Sequence, residues 1–168
     1  ICSGLSSTVT ASGASIYNWN PTGSGASHTV NPTSTTVYVL TGTDVNGCTG
    51  TASVTVTVNP NPTVTATGGT ICNGNTFIIT VSGANSYSWN NSLGSGSSKA
   101  ISPSTTTTYQ ITGTDNNGCT GTASATVIVN PNPVVSLTAN PSSICAGSST
   151  TISGSGASDY SWSNSLGT

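Results

Sequence analysis

The residues that could do chemistry are few, and the most suggestive of them recur. The stretch Gly-Thr-Asp-Val-Asn-Gly-Cys at 42–48 returns as Gly-Thr-Asp-Asn-Asn-Gly-Cys at 113–119. Carboxylates such as Asp44 and Asp115, with neighbouring amide and carbonyl oxygens, are the ligands that Ca²⁺ takes. A Ca²⁺ site usually has roughly six to eight oxygens and more than one carboxylate, whereas each copy supplies a single Asp here.

The same stretch also has the sequence of a structural turn. Asn-Gly at 46–47 and at 117–118 is a strong hairpin signal, because both residue types tolerate positive φ. The preceding Asp can accept hydrogen bonds from nearby backbone amides in an Asx-type turn. We therefore predict a turn that is stapled by the following cysteine and holds no metal. Calcium binding is the alternative.

Cysteines occupy matching places in the two copies. Cys2 and Cys48 are 46 residues apart, and Cys72 and Cys119 are 47 apart. This spacing predicts disulfides Cys2–Cys48 and Cys72–Cys119, each within one copy, with Cys145 pairing to a residue outside this segment. Disulfides of this kind indicate an oxidising, extracytoplasmic compartment. Free buried thiols are the alternative.

The sequence offers no convincing catalytic group. His28 has no counterpart in the second copy, where Ser98 or Lys99 falls near its place. Hydrolysis by a Ser-His-Asp triad needs those groups gathered in a pocket, and glycoside hydrolysis needs paired carboxylates, which no single copy contains. Zinc sites favour Cys-x-x-Cys spacing, which is absent. We predict no enzyme, no catalytic residue, no cofactor and no metal.

The composition excludes several classes of partner. Charged residues are 2% of the 168, against about 25% in an ordinary domain, and Ser and Thr together number 62. Nucleic-acid binding needs clustered Lys or Arg, and this chain has one Lys. No apolar run approaches the ~20 residues of a membrane span. We therefore expect neither a nucleic-acid partner nor a membrane span.

The elements that position these residues are short strands in a repeat. Tyr-x-Trp recurs at 17–19, 87–89 and 160–162, and Asn-Pro-Asn-Pro recurs at 59–62 and 130–133. Apolar residues alternate with Ser and Thr, the period of a strand. The chain is thus predicted to be all-β, with tandem Ig-like antiparallel β-sandwiches joined by short Pro-rich linkers. The predicted units are repeat 1 at 1–59 without its first strand, repeat 2 at 60–130, and a partial repeat 3 at 131–168.

The recurrent tryptophans are predicted core residues. Trp19, Trp89 and Trp162 each follow a Tyr by two positions, on the strand where sandwiches bury an aromatic. A sugar-stacking platform is the alternative. The Tyr hydroxyl is expected to find a hydrogen-bond partner at the core's edge.

Glycans are expected on the outer surface, because a bare neutral surface promotes association. Asn90 begins the one Asn-x-Ser/Thr motif without a blocking proline. The Thr-rich stretches after Pro32 and Pro103 add candidate O-linked sites at Thr35, Thr36, Thr105, Thr106 and Thr107. Alternatively, Thr is abundant because it favours strands.

Two longer segments carry a family resemblance. ICNGNTFIITVSGANSYSW at 71–89 and SPSTTTTYQITGTDNNGCTGTASATVIVNPNP at 102–133 resemble the Ig-like/PKD-like repeats of large secreted bacterial surface proteins. That resemblance implies extracellular β-sandwiches in long tandem arrays, as in stalks, adhesins or matrix fibres, and no catalytic residues.

We accordingly predict a structural protein of an extracellular fibre or cell-surface stalk, glycosylated and disulfide-stapled, whose partners are copies of itself. An adhesin or glycan-binding module is the alternative, with its site in the divergent loops 20–29 and 90–99. Head-to-tail copies could complete each other by strand donation, since repeat 1 lacks a first strand and repeat 3 its last ones. A segment of a longer chain explains the same facts.

Overall fold

The structure, a computed structural model, describes residues 1–163, and every regular element in it is a β-strand. Alternating Val, Ile, Thr and Tyr fit a pleated, half-buried surface, which is why these segments are extended. The strands are β1 (Ser7–Thr10), β2 (Ile16–Asn20), β3 (Gly23–Ser24), β4 (Ser27–Val30), β5 (Thr36–Thr43), β6 (Thr49–Val56), β7 (Thr65–Ala66), β8 (Gly69–Cys72), β9 (Phe77–Ser82), β10 (Ser86–Trp89), β11 (Gly94–Ser95), β12 (Ser98–Ile101), β13 (Thr107–Thr114), β14 (Thr120–Asn130), β15 (Ser136–Asn140) and β16 (Thr151–Ser155).

We call 1–59, 60–130 and 131–163 the first, second and third modules. These bounds follow the repeat and stay a prediction. Residues 164–168 of the predicted third repeat lie outside the described residues.

The second module has the two sheets of an Ig-like sandwich. One sheet has the order β12-β9-β7, and the other has the order β11-β10-β13-β14-β8. All neighbours are antiparallel except β8, which runs parallel to β14, with Cys72 opposite Asn130. Two mainly antiparallel sheets that enclose one core are the Ig-like plan, so the predicted all-β, Ig-like fold class is confirmed.

A single apolar core lies between these sheets. Along β13, Tyr109 and Ile111 point inward while Thr108 and Gln110 face solvent, as a period of two requires. Ile79, Ile111 and Val127 are fully buried. Because packing in such a core is dense, loss of one large side chain leaves a cavity.

The first module repeats this plan with two strands fewer, since β7 has no counterpart there and the counterpart of β8 is a single bridge between Cys2 and Asn59. Its sheets have the orders β3-β2-β5-β6 and β1-β4, and its buried core is Val9, Trp19, Val30, Tyr38, Leu40 and Val56. No described residue occupies the place that β7 has in the second module. As a result Val54 of β6 is 43% exposed, whereas its counterpart Ala125 of β14 is 2% exposed.

The third module forms one hairpin-like pair, β15 with β16. Trp162 is only half-buried among the described residues, and its place in a core stays a prediction. The strands that cover Trp89 in the second module, β13 above all, have no counterpart among residues 131–163.

Removal of a core side chain should cost far more than removal of a surface one. We expect Ile111→Ala to destabilise the second module by about 3–4 kcal/mol, because a fully buried Ile leaves a cavity. Ile128→Ala is the matched control, since Ile128 is 47% exposed on the adjacent strand. Urea denaturation followed by Trp fluorescence measures both, and equal effects of the two would contradict the core assignment.

Candidate functional site at the module junction

The Asp-x-Asn-Gly-Cys loop is a closed turn in both copies. Oδ1 of Asp44 accepts hydrogen bonds from the backbone N–H of Asn46 and of Cys48, both at 2.8 Å. Asp115 makes the same two bonds at 2.8 Å. One carboxylate oxygen is thus committed to satisfying backbone amides, as an Asx-type turn requires, and the predicted turn is confirmed.

The turn differs in one detail from the expected hairpin. Only its glycine has positive φ, 82° at Gly47 and 78° at Gly118, while the preceding Asn does not. The Asp side chain, rather than a left-handed Asn, therefore closes the loop. Within residues 1–163 no three His, Cys, Asp or Glu side chains gather in a metal-binding group.

The disulfide joins two modules rather than closing one. Cys2 is bonded to Cys119, with their Cα atoms 5.4 Å apart. The predicted pairs Cys2–Cys48 and Cys72–Cys119 are therefore wrong. Cys48, Cys72 and Cys145 are free and exposed among the described residues. The predicted pairing of Cys145 with a residue outside this segment stays a prediction.

Strand direction explains why the predicted pairs cannot form. Cys119 directly precedes β14, and Cys72 lies opposite Asn130 at the other end of that strand. Eleven residues separate the two ends, about 33 Å at the rise of a strand, whereas a disulfide needs Cα atoms within about 7 Å. The two cysteines of the second module therefore lie at opposite ends of it.

The linker is fixed to the module before it and to the module after it. The N–H of Asn59 donates to Ile1 O at 2.9 Å, and the N–H of Ser3 donates to Asn59 O at 2.9 Å. The side-chain amide of Asn61 donates to Ser3 O at 3.3 Å. Gly121 has no room for a Cβ because the carbonyl of Pro62 lies against it. With Cys2–Cys119, these contacts make a rigid joint.

The second linker is attached to its own preceding module in the same way. The N–H of Asn73 donates to Asn130 O at 2.9 Å, and the side-chain amide of Asn132 donates to Asn73 O at 3.0 Å. Cys72 therefore stands at the end of the second module as Cys2 stands at the end of the first. In this case the thiol is exposed.

Two of the three recurrent tryptophans are core residues. Trp19 is 5% exposed and Trp89 is 7% exposed. Their indole N–H groups donate to the carbonyls of Gly25 and Gly96 at 2.9 and 2.7 Å. With the ring buried and the N–H paired, neither ring can act as a sugar platform. The tyrosine of each motif also makes the expected bond, its hydroxyl accepting from a backbone N–H three residues earlier.

The divergent loop of the first module contains two unpaired polar atoms. Thr22 Oγ1 and His28 Nε2 are shielded from solvent and have no hydrogen-bond partner. The His28 ring lies edge-on to Trp19, with 6.3 Å between centroids.

The predicted glycosylation sites differ in how free their hydroxyls are. Thr36 and Thr107 donate to the carbonyl two residues earlier, at 2.8 and 2.7 Å, and an attached sugar would remove that donated proton. Thr35 and Thr106 accept from backbone N–H groups, and an ether oxygen can still accept. Thr105 is exposed.

Asn90 is exposed at the turn after β10. Its Oδ1 accepts from the N–H of Gln110 at 3.0 Å, which leaves the amide nitrogen, the atom that carries an N-linked glycan, pointing away from that bond. Asn91 and Ser92 have φ of 55° and 59°, so the motif lies on a tight turn.

The chain is similar to several solved structures at low sequence identity. No family model matches the chain, and no curated protein matches it. Fibronectin(III)-like modules of CbhA from Clostridium thermocellum align with a TM-score of 0.39 at 11% identity, covering 77% of this chain and 88% of that one. The N-terminal four Ig domains of Dscam1 isoform 1.9 align with a TM-score of 0.30 at 12% identity, covering 79% and 42%.

A third neighbour is SGBP-B of the Bacteroides ovatus mixed-linkage glucan utilization locus, in complex with a mixed-linkage heptasaccharide. Its TM-score is 0.22 at 13% identity, covering 80% of this chain and 43% of that one. The chain thus spans less than half the length of the Dscam1 and SGBP-B structures. Among residues 1–163 no helix is long and apolar enough to cross a membrane.

Disulfide mapping can test the junction directly. With thiols blocked, a protease that cuts before Asp yields 1–43, 44–114, 115–158 and 159–168. Cys2–Cys119 joins 1–43 to 115–158, and we expect this product by mass spectrometry before reduction. Pairing within modules would instead join fragment 44–114 to fragment 1–43 and to fragment 115–158, and this result would contradict the junction.

The turn carboxylate should contribute measurably to stability. We expect Asp115→Ala to destabilise the protein by about 1–3 kcal/mol, because two backbone amides lose a charged acceptor. Asp159→Ala is the control, since Asp159 is exposed. Thermal unfolding compares them, and an unchanged Asp115→Ala protein would show that the turn holds without its carboxylate.

Proposed function

We propose that this chain is a structural protein, in which tandem Ig-like modules build an extracellular fibre or cell-surface stalk. The observation that carries the proposal is the junction: a covalent Cys2–Cys119 bond and a hydrogen-bonded linker hold successive modules together. A flexible tether would need neither. An array that transmits force or sets a fixed length requires a joint that is held on both sides.

The chemistry of the chain supports an extracellular place. Disulfides persist in oxidising compartments and are rare in the cytosol. The surface is almost without charge, with three acids and one Lys in 168 residues. Such a surface favours lateral association of like chains and needs covering where association is unwanted. Covalent glycans on exposed Thr or Asn side chains supply that covering in the proposal.

The proposed role is non-enzymatic. Within the described residues, the carboxylates of Asp44 and Asp115 accept hydrogen bonds from backbone N–H groups of their own turns. The ring of His28 lies edge-on to that of Trp19. The partners in this proposal are further copies of the chain, with attached sugars as its only non-protein component.

An adhesin or glycan-binding module is the second candidate. The observation that favours it is the pair of unsatisfied polar atoms, Thr22 Oγ1 and His28 Nε2, in the loop where the modules differ most. A ligand bearing hydroxyls could pair with them. The loops 20–29 and 90–99 would then be the binding surface.

Electron microscopy of native material, before any denaturation, tests the structural role. We expect regular filaments whose axial repeat matches a whole number of modules. Dispersed short rods without self-association would contradict the fibre and favour the binding module. Glycan-array binding by a Thr22→Val, His28→Phe variant, compared with the unaltered chain, then tests that second candidate.

The mass of the native protein tests the glycan covering. We expect heterogeneous mass above that of the 16.4 kDa polypeptide, mapped to Asn90 or to Thr35, Thr105 and Thr106, whose hydroxyls do not donate a structural hydrogen bond. Glycopeptide sequencing locates the sugars. A native mass equal to that of the bare chain would remove the glycan from the proposal.

A further inference from the structure

The first module carries apolar side chains on the outer side of one sheet. We call the outward side of β2, β5 and β6 in this module the β5 face. On it Ile16, Val37 and Val39 are 63%, 54% and 41% exposed. Val37 and Val39 are two residues apart on β5, so their side chains lie next to each other on the same side of the sheet. They form a patch whose burial against another surface would be favourable.

The second module is polar at the same three positions. Ser86, Thr108 and Gln110 occupy them on β10 and β13, and all three are exposed. Since the second module folds to the same plan with polar residues there, the fold does not require apolar side chains at these places. The apolar residues of the first module are therefore available for a contact outside their own module.

The β5 face is open in a module that continues at both ends. The second module has a linker and further strands on each side of it, and in it Thr108, Gln110 and Ser124 remain exposed. The preceding linker packs elsewhere, because Pro62 lies against Gly121 on the inward side of β14. The exposure of the corresponding residues in the first module is thus a property of the module and not of its position in the chain.

The two modules also differ in the glycan site beside this face. Asn90 lies next to Gln110, whose N–H donates to the Asn90 Oδ1 at 3.0 Å. Its counterpart Asn20 lies opposite Val39, but Pro21 follows it and blocks N-glycosylation. A glycan on Asn90 would cover the face of the second module, whereas Asn20 cannot cover the β5 face.

We propose, on the basis of the fibre function above, that copies of this chain associate side by side through the β5 face of the first module. The partner is the same face of a second copy. All residues of β2, β5 and β6 are uncharged, so two β5 faces meet without like-charge repulsion, and a charged partner finds no opposite charge there. The polar face of the second module offers less apolar area to pack against.

The contact is a symmetric packing of two sheets. Sheets pack face to face about 10 Å apart, and a two-fold axis brings the same patch of both copies together. Val37 and Val39 of one copy then lie on β5 of the other. The outward Thr side chains around them contribute methyl groups to the contact and keep their hydroxyls for hydrogen bonds or water.

The size of the face indicates a weak contact that a fibre can strengthen. β5 has eight residues, which span about 27 Å, and four strands side by side span about 19 Å. A symmetric pair therefore buries about 1,000 Å² in total, at the lower limit of specific interfaces. In a fibre every copy repeats the contact, so many weak contacts together hold two filaments side by side.

Sedimentation equilibrium of the full chain tests the contact. The protein is produced without glycans, and Cys48, Cys72 and Cys145 are alkylated so that no new disulfide forms. We expect a reversible dimer at concentrations up to about 1 mM, where contacts of this size associate. The double variant Val37→Thr, Val39→Gln should raise the Kd at least about tenfold, because four apolar side chains leave the contact. A monomeric unaltered chain, or a double variant that dimerises equally, would overturn the proposal.

The second module supplies the matched controls. The double variant should fold, since the second module folds with Thr and Gln at these positions. Ile128→Thr removes an apolar residue that is 47% exposed on β14 and should leave the Kd unchanged. An equal effect of Ile128→Thr would mean non-specific association and would contradict the β5 face. The reverse variant Thr108→Val, Gln110→Val should add a second contact and give species larger than dimers. Its failure to do so would contradict the role of these two positions.

A mixing experiment tests the symmetry of the contact. A fluorescently labelled Val37→Thr, Val39→Gln protein should remain monomeric in an excess of the unaltered chain, since its own β5 face is altered. If it binds the unaltered chain as tightly as that chain binds itself, the β5 face packs on a different surface and the symmetric contact is wrong.

Electron microscopy separates this contact from the fibre itself. Native filaments that always lie singly would leave the fibre standing and overturn the lateral contact. Dimers of the purified chain that depend on Val37 and Val39, with no filaments in native material, would support the contact and overturn the fibre.

Discussion

The organisation of the molecule depends on one pairing of strands, the parallel contact of β8 with β14. Because these two strands run the same way, the residue that ends β8 lies beside the end of β14, while the residue that begins β14 is a strand length away. Cys72 is the first of these residues, and Cys119 directly precedes the second. The two cysteines of a module built this way therefore cannot bond to each other.

The linker at 59–62 gains its rigidity from the corresponding parallel contact in the first module. In the first module Cys2 forms a parallel bridge with Asn59. The linker therefore begins beside the cysteine that is bonded to Cys119. Because the linker begins there, Asn61 is within hydrogen-bonding distance of Ser3, and Pro62 packs on Gly121. Proline adds stiffness by fixing φ and by lacking an N–H, but the surrounding contacts set the direction.

Much of the fold could be predicted from the sequence, because alternation and repeat spacing are local properties. The strands around Tyr109 and Ile111 have a period of two, and the Asp turn uses groups within four residues of each other. Disulfide pairing is not local. The nearly equal spacing of Cys2–Cys48 and Cys72–Cys119 suggested closure within a repeat, yet a repeating sequence gives similar spacings for pairing across repeats too. Knowledge that β8, the strand that ends in Cys72, runs parallel to β14 would have distinguished the two pairings.

The position of the staple also decides which residues carry tension. A pull applied to the two ends of the chain passes from Cys2 to Cys119 in one covalent step. The residues between them, 3–118, are then bypassed and can unfold without lengthening the molecule. At about 3.5 Å per extended residue, roughly 400 Å of contour length stays hidden until the bond is reduced. The redox state of the surroundings therefore sets how far the chain can stretch before it breaks.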